Sequence, residues 1–273
     1  MANRIKKERI VFIINPVSGT GRNRMMEPVI RELVDFNKYD IDIEFTGYRG
    51  HAAKLAKKYV KKGVDIIAAI GGDGTINEIG SALIHTQTAL AIIPSGSGNG
   101  LARYLRIPLS TAEAVELINR KKIKSIDVGR MNKKYFFCTC GTGFDARVGE
   151  VFDKGKRRGF VNYVITAIRE FFIYRPKNYL LKIDGHKYQE RAFLITLANA
   201  GQYGNNAYIS PGARIDDGLL DVCIIRPFPK YNMFSLGMRL FNRTMDQSKF
   251  VEVIRGRKIR IKRKKKNPGS FGW

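Results

Sequence analysis

The chain is short of acid. Against 49 lysines and arginines stand 24 aspartates and glutamates, which leaves a net charge of +25 over 273 residues. That excess points to a polyanionic partner, an anionic membrane surface or nucleic acid. A solvated basic surface with no specific partner is the plain alternative. Cysteine is scarce and odd in number. Cys138, Cys140 and Cys223 supply no paired disulfide framework, which argues for the reduced cytoplasm. Cys138-Thr-Cys140 reads as one face of a buried strand. His51, His85 and His186 are scattered without ligand spacing. No apolar run approaches the roughly 20 residues of a membrane span, and Met1–Ile10 has no signal-peptide core. Repeats and disordered linkers are also missing. What is present is an ordinary globular share of apolar residues, enough for one large domain or two modest ones.

One stretch organises the rest. Val64–Ile70 is an apolar run that reads as a buried parallel strand, and it stops at Gly71-Gly72. Asp73, Gly74 and Thr75 follow, with Thr75 expected to cap a helix. A strand, a glycine turn and a helix N-terminus together present backbone N–H groups to an anion. An acid beside a phosphate repels it, so Asp73 is expected to serve a metal, a metal-bound water or a hydroxyl that must lose a proton. Asp as a turn former is the bland alternative.

Around this stretch, strands at Arg9–Asn15, Tyr39–Thr46 and Ala89–Pro94 alternate with helices near 23–37, 50–62, 75–85, 101–105 and 111–120, the last with Ser110 as its cap. This alternation predicts a parallel α/β sheet. Glycine-bearing loops at 16–21, 71–74 and 95–100 each follow a strand, which places all three on the carboxyl edge, where α/β ligands bind. After Ile126 the pattern changes. Short runs at 134–140, 179–183, 191–199, 219–225 and 250–254 predict an antiparallel, β-rich second domain. Asp184-Gly185 reads as a hairpin turn, and helices are expected near 159–174 and 230–242. The first of these offers Phe160, Val164, Ala167, Ile168, Phe171 and Phe172 as a face expected to pack on a core more than on a membrane.

Asn15-Pro-Val-Ser-Gly19, Gly71-Gly-Asp-Gly-Thr-Ile-Asn-Glu78, Pro94-Ser-Gly-Ser-Gly-Asn-Gly-Leu-Ala-Arg103, Gly143-Phe-Asp-Ala146 and Asp217-Gly-Leu-Leu-Asp-Val222 occur in this order. Together they resemble the lipid kinases that share the diacylglycerol kinase catalytic domain: bacterial soluble diacylglycerol kinases and the sphingosine and ceramide kinases. The resemblance implies an ATP-binding α/β domain over residues 1–128 and a β-rich lipid-substrate domain over 129–273. It implies that Asn15, Pro16, Val17, Ser18 and Gly19 line the nucleotide with Thr46 nearby. Gly72, Gly74, Thr75, Asn77 and Glu78 would wrap the phosphates, and Ser97 would reach them from the third loop. Arg22 is a candidate for neutralising phosphate charge or, equally, a solvated arginine.

Three carboxylates carry the expected chemistry. By resemblance, Asp73 belongs to a network holding Mg²⁺ through water, or acts as the base for the acceptor hydroxyl. Asp127 sits where bacterial enzymes carry a partner acid, with a turn or cap role as its alternative, and Asp145 looks like the acceptor-facing position of the sphingosine-kinase branch. Asp217, with the carbonyls of Arg214 and Leu219, resembles a structural Mg²⁺ site; without the family it would read as a plain turn.

The chain departs from the family pattern twice. Gly100 stands where bacterial members often carry Asp, and no Asp-Gly-Glu triplet follows Gly218, so the C-terminus reads as truncated or altered, without the expected base and a closing strand. Arg255–Lys266 is instead densely basic: a membrane contact, a nucleic-acid patch or an exposed tail. Lys156–Arg158 is better placed for lipid. The expectation is an ATP- and Mg²⁺-dependent lipid kinase acting on diacylglycerol or a sphingoid or ceramide-like acceptor, cytoplasmic and peripherally bound to anionic membrane. Nucleic acid is the less expected partner, and a homodimer is an expected assembly. A soluble-substrate kinase of the NAD kinase type and a non-catalytic basic binding protein are the rivals.

Overall fold

The computed structural model describes residues 7–19, 22–154 and 160–264; within them the side chains of Arg22, Asp153 and Phe160 are not described. Thr20, Gly21, Lys156–Arg158, Lys265, Lys266 and the final Pro268–Trp273 therefore lie outside the described residues. The chain divides into two compact units. One runs to Phe137 and takes back Tyr203–Asn206; the other holds Cys138–Gln202 and the remainder from Ala207.

In chain order the first unit contains β1 (Glu8–Ile14), α1 (Met26–Leu33), β2 (Tyr39–Phe45), α2 (His51–Lys61), β3 (Ile66–Gly71), α3 (Asp73–Leu83), β4 (Ala89–Pro94), α4 (Gly100–Tyr104), α5 (Thr111–Asn119), β5 (Gly129–Met131) and β6 (Lys134–Phe136). β1 to β4 form one parallel sheet in the order β2-β1-β3-β4. β1 and β3 are central, so both their faces are covered, and Ile10–Ile14 and Ile66–Ile70 are buried throughout. Ile10, Phe12 and Ile14 share a core with Ile30, Val34, Val115 and Ile118.

The first unit extends past residue 128. The β5–β6 hairpin belongs to it, because the Phe137 ring packs directly over Gly80 of α3; a Cβ at Gly80 would lie 2.5 Å from that ring. The expected 134–140 strand is accordingly two strands, one in each unit. Ser110 and Thr75 make no capping bond: α5 begins without a side-chain cap, and α3 begins at Asp73 with Gly72 at its N-cap.

The second unit contains β7 (Thr139–Gly143), α6 (Phe144–Lys154), α7 (Phe160–Ile173), β8 (Lys177–Ile183), β9 (His186–Ala192), β10 (Leu194–Ala198), β11 (Leu220–Ile225), α8 (Met233–Phe241), β12 (Val251–Gly256) and β13 (Ile259–Arg263). Two antiparallel sheets are present, β12-β11-β10-β7 and β13-β8-β9. The chain turns from one to the other at two corners. At the first, Phe193 splits the expected 191–199 strand, and its ring joins Phe144, Phe171, Tyr174 and Phe228 in an aromatic cluster. At the second, Asp184 accepts the Arg257 and Lys258 amides at 2.9 and 2.7 Å, and these bonds hold its carboxyl below its usual range. Asp184 and Gly185 both have positive φ, 45° and 99°, as a tight β8–β9 hairpin requires.

Over residues 259–263 this corner overturns one of the three readings of the basic run, the exposed tail. Residues 259–263 are β13, paired antiparallel with β8, and they alternate half-buried Ile259 and Ile261 with exposed Arg260 and Lys262. The face predicted for α7 is also divided. Phe171 is buried, but Ile168 and Phe172 are exposed.

Candidate active site

The loops after β1, β3 and β4 lie side by side because those strands are neighbours in one parallel sheet. Their backbones touch. A Cβ on Gly96 would stand 2.5 Å from the Gly72 Cα, and a Cβ on Gly19, whose φ is +63°, would collide with the Ser95 carbonyl. Only glycine permits this approach. A buried amide stitches the first and third loops: Asn23 Nδ2 donates to the Asn15 carbonyl at 2.9 Å, to Ser18 Oγ at 2.6 Å and to Ser95 Oγ at 2.8 Å. Ser18 Oγ and Ser95 Oγ are 3.0 Å apart. The second loop joins through Asn15 Nδ2, which donates to Thr75 Oγ1 at 2.9 Å. Thr75 is thus a buried first-turn residue over Gly71, where a Cβ would lie 2.6 Å from its own.

With no side-chain cap, the first-turn N–H groups of α3 are left to an anion, the arrangement on which a phosphate settles. Gly74 stands in open space beside it. Asp73 is half-buried and faces the third loop. Its Oδ1 lies 3.4 Å from the Leu101 amide, and a Cβ on Gly98 would lie 3.0 Å from its Oδ2. Burial raises its pKa above the usual carboxylate range, against the lowering pull of the Leu101, Gly100 and Asn99 amides. Asn99, buried in the left-handed region at φ 52°, closes the third loop by accepting from Gly96 N and donating to Gly96 O, both at 2.9 Å.

Tyr203–Asn206 completes this loop. The Asn205 amide donates to Gly98 O at 3.0 Å, and Gly204, Asn205 and Asn206 all have positive φ. A Cβ at Gly100 would stand 3.2 Å from the Tyr203 carbonyl, so the returning segment leaves little room for any side chain there.

The other expected nucleotide residues fall as follows. Thr46 follows directly after β2, its amide bonded to Ile14 O at 2.8 Å, and so lies on the same edge. Ser97 is exposed at the tip of the third loop, Val17 is exposed, and Pro16 and Asn77 are half-buried. Glu78 accepts the Gly50 amide at 3.0 and 3.1 Å, tying α3 to the turn before α2. Arg22 starts a short 3-10 turn, its backbone alone described. Asp127 is half-buried in the irregular segment between α5 and β5.

In the second unit, Asp145 opens α6. Thr196 Oγ1 donates to its Oδ2 at 3.0 Å, and the Ala146 amide donates to its Oδ1 at 2.7 Å. Gly141 allows the carboxylate this close to β7, since a Cβ there would lie 2.6 Å from Asp145 Oδ2. Burial pushes the Asp145 carboxyl up to about 6, and burial with that neighbouring charge pushes the Cys140 thiol up to about 12. Arg214, Asp217 and Leu219 share one turn. Asp217 Oδ1 accepts the Leu219 amide at 3.0 Å, Gly218 has φ 70°, and Arg214 pairs with Asp216 at 3.5 Å. Asp217 is the only carboxylate among the three, and no group of three or more His, Cys, Asp or Glu suited to a metal occurs among the described residues.

Asn23 and the 203–206 segment were not singled out in the sequence. Asn23 carries no local signal. Gly204-Asn205-Asn206 does, as a run of residue types that tolerate the left-handed region.

Residues 9–131 match the diacylglycerol kinase catalytic domain, and residues 138–271 match the YegS C-terminal NAD kinase beta sandwich-like domain. A relative from Enterobacter sp. (strain 638), described as a probable lipid kinase YegS-like, is 32% identical over 209 residues, 74% of this chain and 70% of that one. A relative from Pseudomonas aeruginosa PAO1 with the same description is 30% identical over 218 residues, 78% of this chain and 72% of that one. A crystal structure described as a diacylglycerol kinase from Bacillus anthracis str. Sterne has a similar fold, with TM-score 0.74 at 24% identity over 95% of this chain and 88% of that one. No helix among the described residues is long and apolar enough to cross a membrane.

Proposed function

The chain belongs to the YegS-like lipid kinase family, a diacylglycerol kinase catalytic domain followed by a YegS C-terminal domain, and on that premise we propose that it transfers the γ-phosphate of ATP, with Mg²⁺, to a lipid hydroxyl. The observation that carries this reading is the fusion of three glycine loops at one sheet edge, the first and third through Asn23 and the second through Asn15, with Asp73 at the uncapped start of α3.

Each residue has a role in it. Asn15–Gly19, Thr46 and Arg22 bind the nucleotide. Gly72, Gly74 and Thr75 offer backbone donors to its phosphates, with Asn77, Glu78 and Ser97 beside them. Mg²⁺, when bound, offsets phosphate charge, and Asp73 is the carboxylate that would hold it, directly or through water, the rest of its shell coming from phosphate and water oxygens. Asp73 and Asp127 form the acid pair of the first unit, and Asp145 contacts the acceptor. The acceptor is diacylglycerol or a sphingoid or ceramide-like lipid, and the enzyme visits an anionic membrane surface from the cytoplasm. Asp217, with the Arg214 and Leu219 carbonyls, is a separate structural cation site.

The test is a labelled-ATP screen over diacylglycerol, sphingoid base, ceramide, phosphatidylglycerol, polyprenol and NAD, with Asp73→Asn as control. One lipid should be labelled, and Asp73→Asn should lower that turnover by ~10²–10⁴. Labelling of NAD alone, or undiminished labelling by Asp73→Asn, would overturn the reading.

A further inference from the structure

α8 is apolar on two sides. Its inner side carries buried Leu236 and is tied down where the Leu240 carbonyl accepts the Tyr208 amide at 2.7 Å. Its other side faces water. Phe234, Met238 and Phe241 recur at helical spacing, with Tyr231 in the 3-10 turn just before them, and Tyr231, Phe234, Met238 and Phe241 are 82%, 77%, 47% and 49% exposed. A short surface helix normally shows polar residues on that side. The stripe continues beyond α8: Lys230 Nζ lies 5.5 Å above the ring of Phe172, at the end of α7, where Phe172 and Ile173 are also exposed. An apolar patch of this kind marks an interaction surface.

The surroundings say what kind. Between Pro227 and Phe250 the chain carries Lys230, Arg239, Arg243 and Lys249 against one acid, Asp246. None of the ion pairs among the described residues involves any of these four bases. Along one flank of the stripe runs a polar cavity of about 270 Å³, with Asn232, Ser235, Arg239, Gln247 and Lys249 in its lining. Arg239 donates one N–H to the Thr244 carbonyl at 3.0 Å, which leaves further donors on its guanidinium. Apolar and aromatic side chains at one level, with cations and amides immediately beside them, match the boundary between acyl chains and anionic headgroups.

We propose that the α8 stripe is the membrane-docking element: Phe234, Met238 and Phe241 enter the acyl boundary of an anionic phospholipid bilayer, Tyr231 lies at the headgroup level, and Arg239 and Lys249 meet headgroup phosphates. This rests on the reading that the acceptor is a membrane lipid, and it adds where the enzyme holds the surface that carries it.

The test uses the full chain with phosphatidylcholine vesicles, with and without phosphatidylglycerol. Wild type should sediment with the anionic vesicles. Phe234→Ser/Met238→Ser/Phe241→Ser should weaken that binding by at least about tenfold, and Arg239→Gln/Lys249→Gln should weaken it by about tenfold or more on anionic vesicles only. Because Phe234, Met238 and Phe241 are exposed, the unfolding transition of the triple-serine variant should be unmoved. In a Trp273→Phe background, the indole introduced by Phe234→Trp should shift its emission to the blue on anionic vesicles. Turnover of a short-chain, water-dispersed acceptor should be unchanged in all these variants. Equal sedimentation of wild type and the triple-serine variant, or no blue shift, overturns the proposal. So does a triple-serine variant that halves the mass in solution without altering sedimentation, which would make the stripe a contact between copies of the chain. If no lipid is phosphorylated while α8-dependent sedimentation persists, the kinase reading fails and the docking surface stands. If lipid is phosphorylated and sedimentation ignores α8, the docking surface alone fails.

Discussion

Asp73 and Asp145 are built alike and placed differently. Each follows a strand, opens a helix and is raised by burial. Each approaches closely because a glycine, Gly98 or Gly141, has no side chain to block it. The partners differ. Asp73 faces the amides that begin α4, on a sheet edge made of loop backbone. Asp145 accepts from one backbone amide, Ala146, and from a hydroxyl, Thr196, beside a thiol, Cys140, of an antiparallel sheet. Three amides of the third loop pull against the burial of Asp73, while a hydroxyl and one adjacent amide do so at Asp145 in a drier setting, where the carboxyl rises to about 6. The same local motif therefore meets two environments, set by what stands opposite.

The contrast can be broken by exchange. The largest effect is expected from Asp73→Asn, which should lower turnover at every pH rather than move the profile. Asp145→Asn should act through pH. With its pKa raised to about 6, wild-type activity should climb through that value as the carboxylate forms, and the limb should vanish in the variant. Thr196→Val removes a bond that favours the charged form, so the limb should move to higher pH; an unmoved limb would detach it from Asp145. The sign for stability is opposite. A raised pKa favours folding below the usual carboxylate value of 3.8 and loses that contribution as pH rises through about 6. Wild type should therefore lose stability relative to Asp145→Asn across that window, as chemical denaturation at stepped pH would record.

A middling effect is expected at Asn23. Asn23→Ala removes a buried amide that serves two loops, which should cost about 1–3 kcal/mol of stability and raise the KM for ATP more than it lowers kcat. The smallest is expected at Asp217. Asp217→Asn should leave turnover near wild type and abolish any rise in Tm on adding Mg²⁺. A Mg²⁺-dependent Tm that persists in the variant would remove the cation from that turn.

Much of the fold was legible because it is local. The buried runs at β1 and β3, the glycines after β1, β3 and β4 and the Asp184-Gly185 turn all announce themselves within a few residues. What escaped was decided at a distance. Residues 259–263 are a strand because β8 offers them a partner, and their charges hid the alternation of Ile259 and Ile261. Phe193 breaks a continuous apolar run because an aromatic cluster pulls it between two sheets. Thr75 looked like a cap by residue type, but Asn15, sixty residues earlier, claims its hydroxyl. The glycine loops were visible one at a time; the Asn23 side chain that joins two of them was not.

The return of Tyr203–Asn206 to the first unit has a consequence for biogenesis. A ribosome releases the four-stranded parallel sheet early, yet the third loop lacks its backing until the chain has been made through Asn206. Until then Gly98 has no Asn205 amide to bond, and the nascent unit is left with its sheet and an unfinished third loop. Synthesis thus orders the two: the parallel sheet first, the finished third loop only after much of the second unit has emerged.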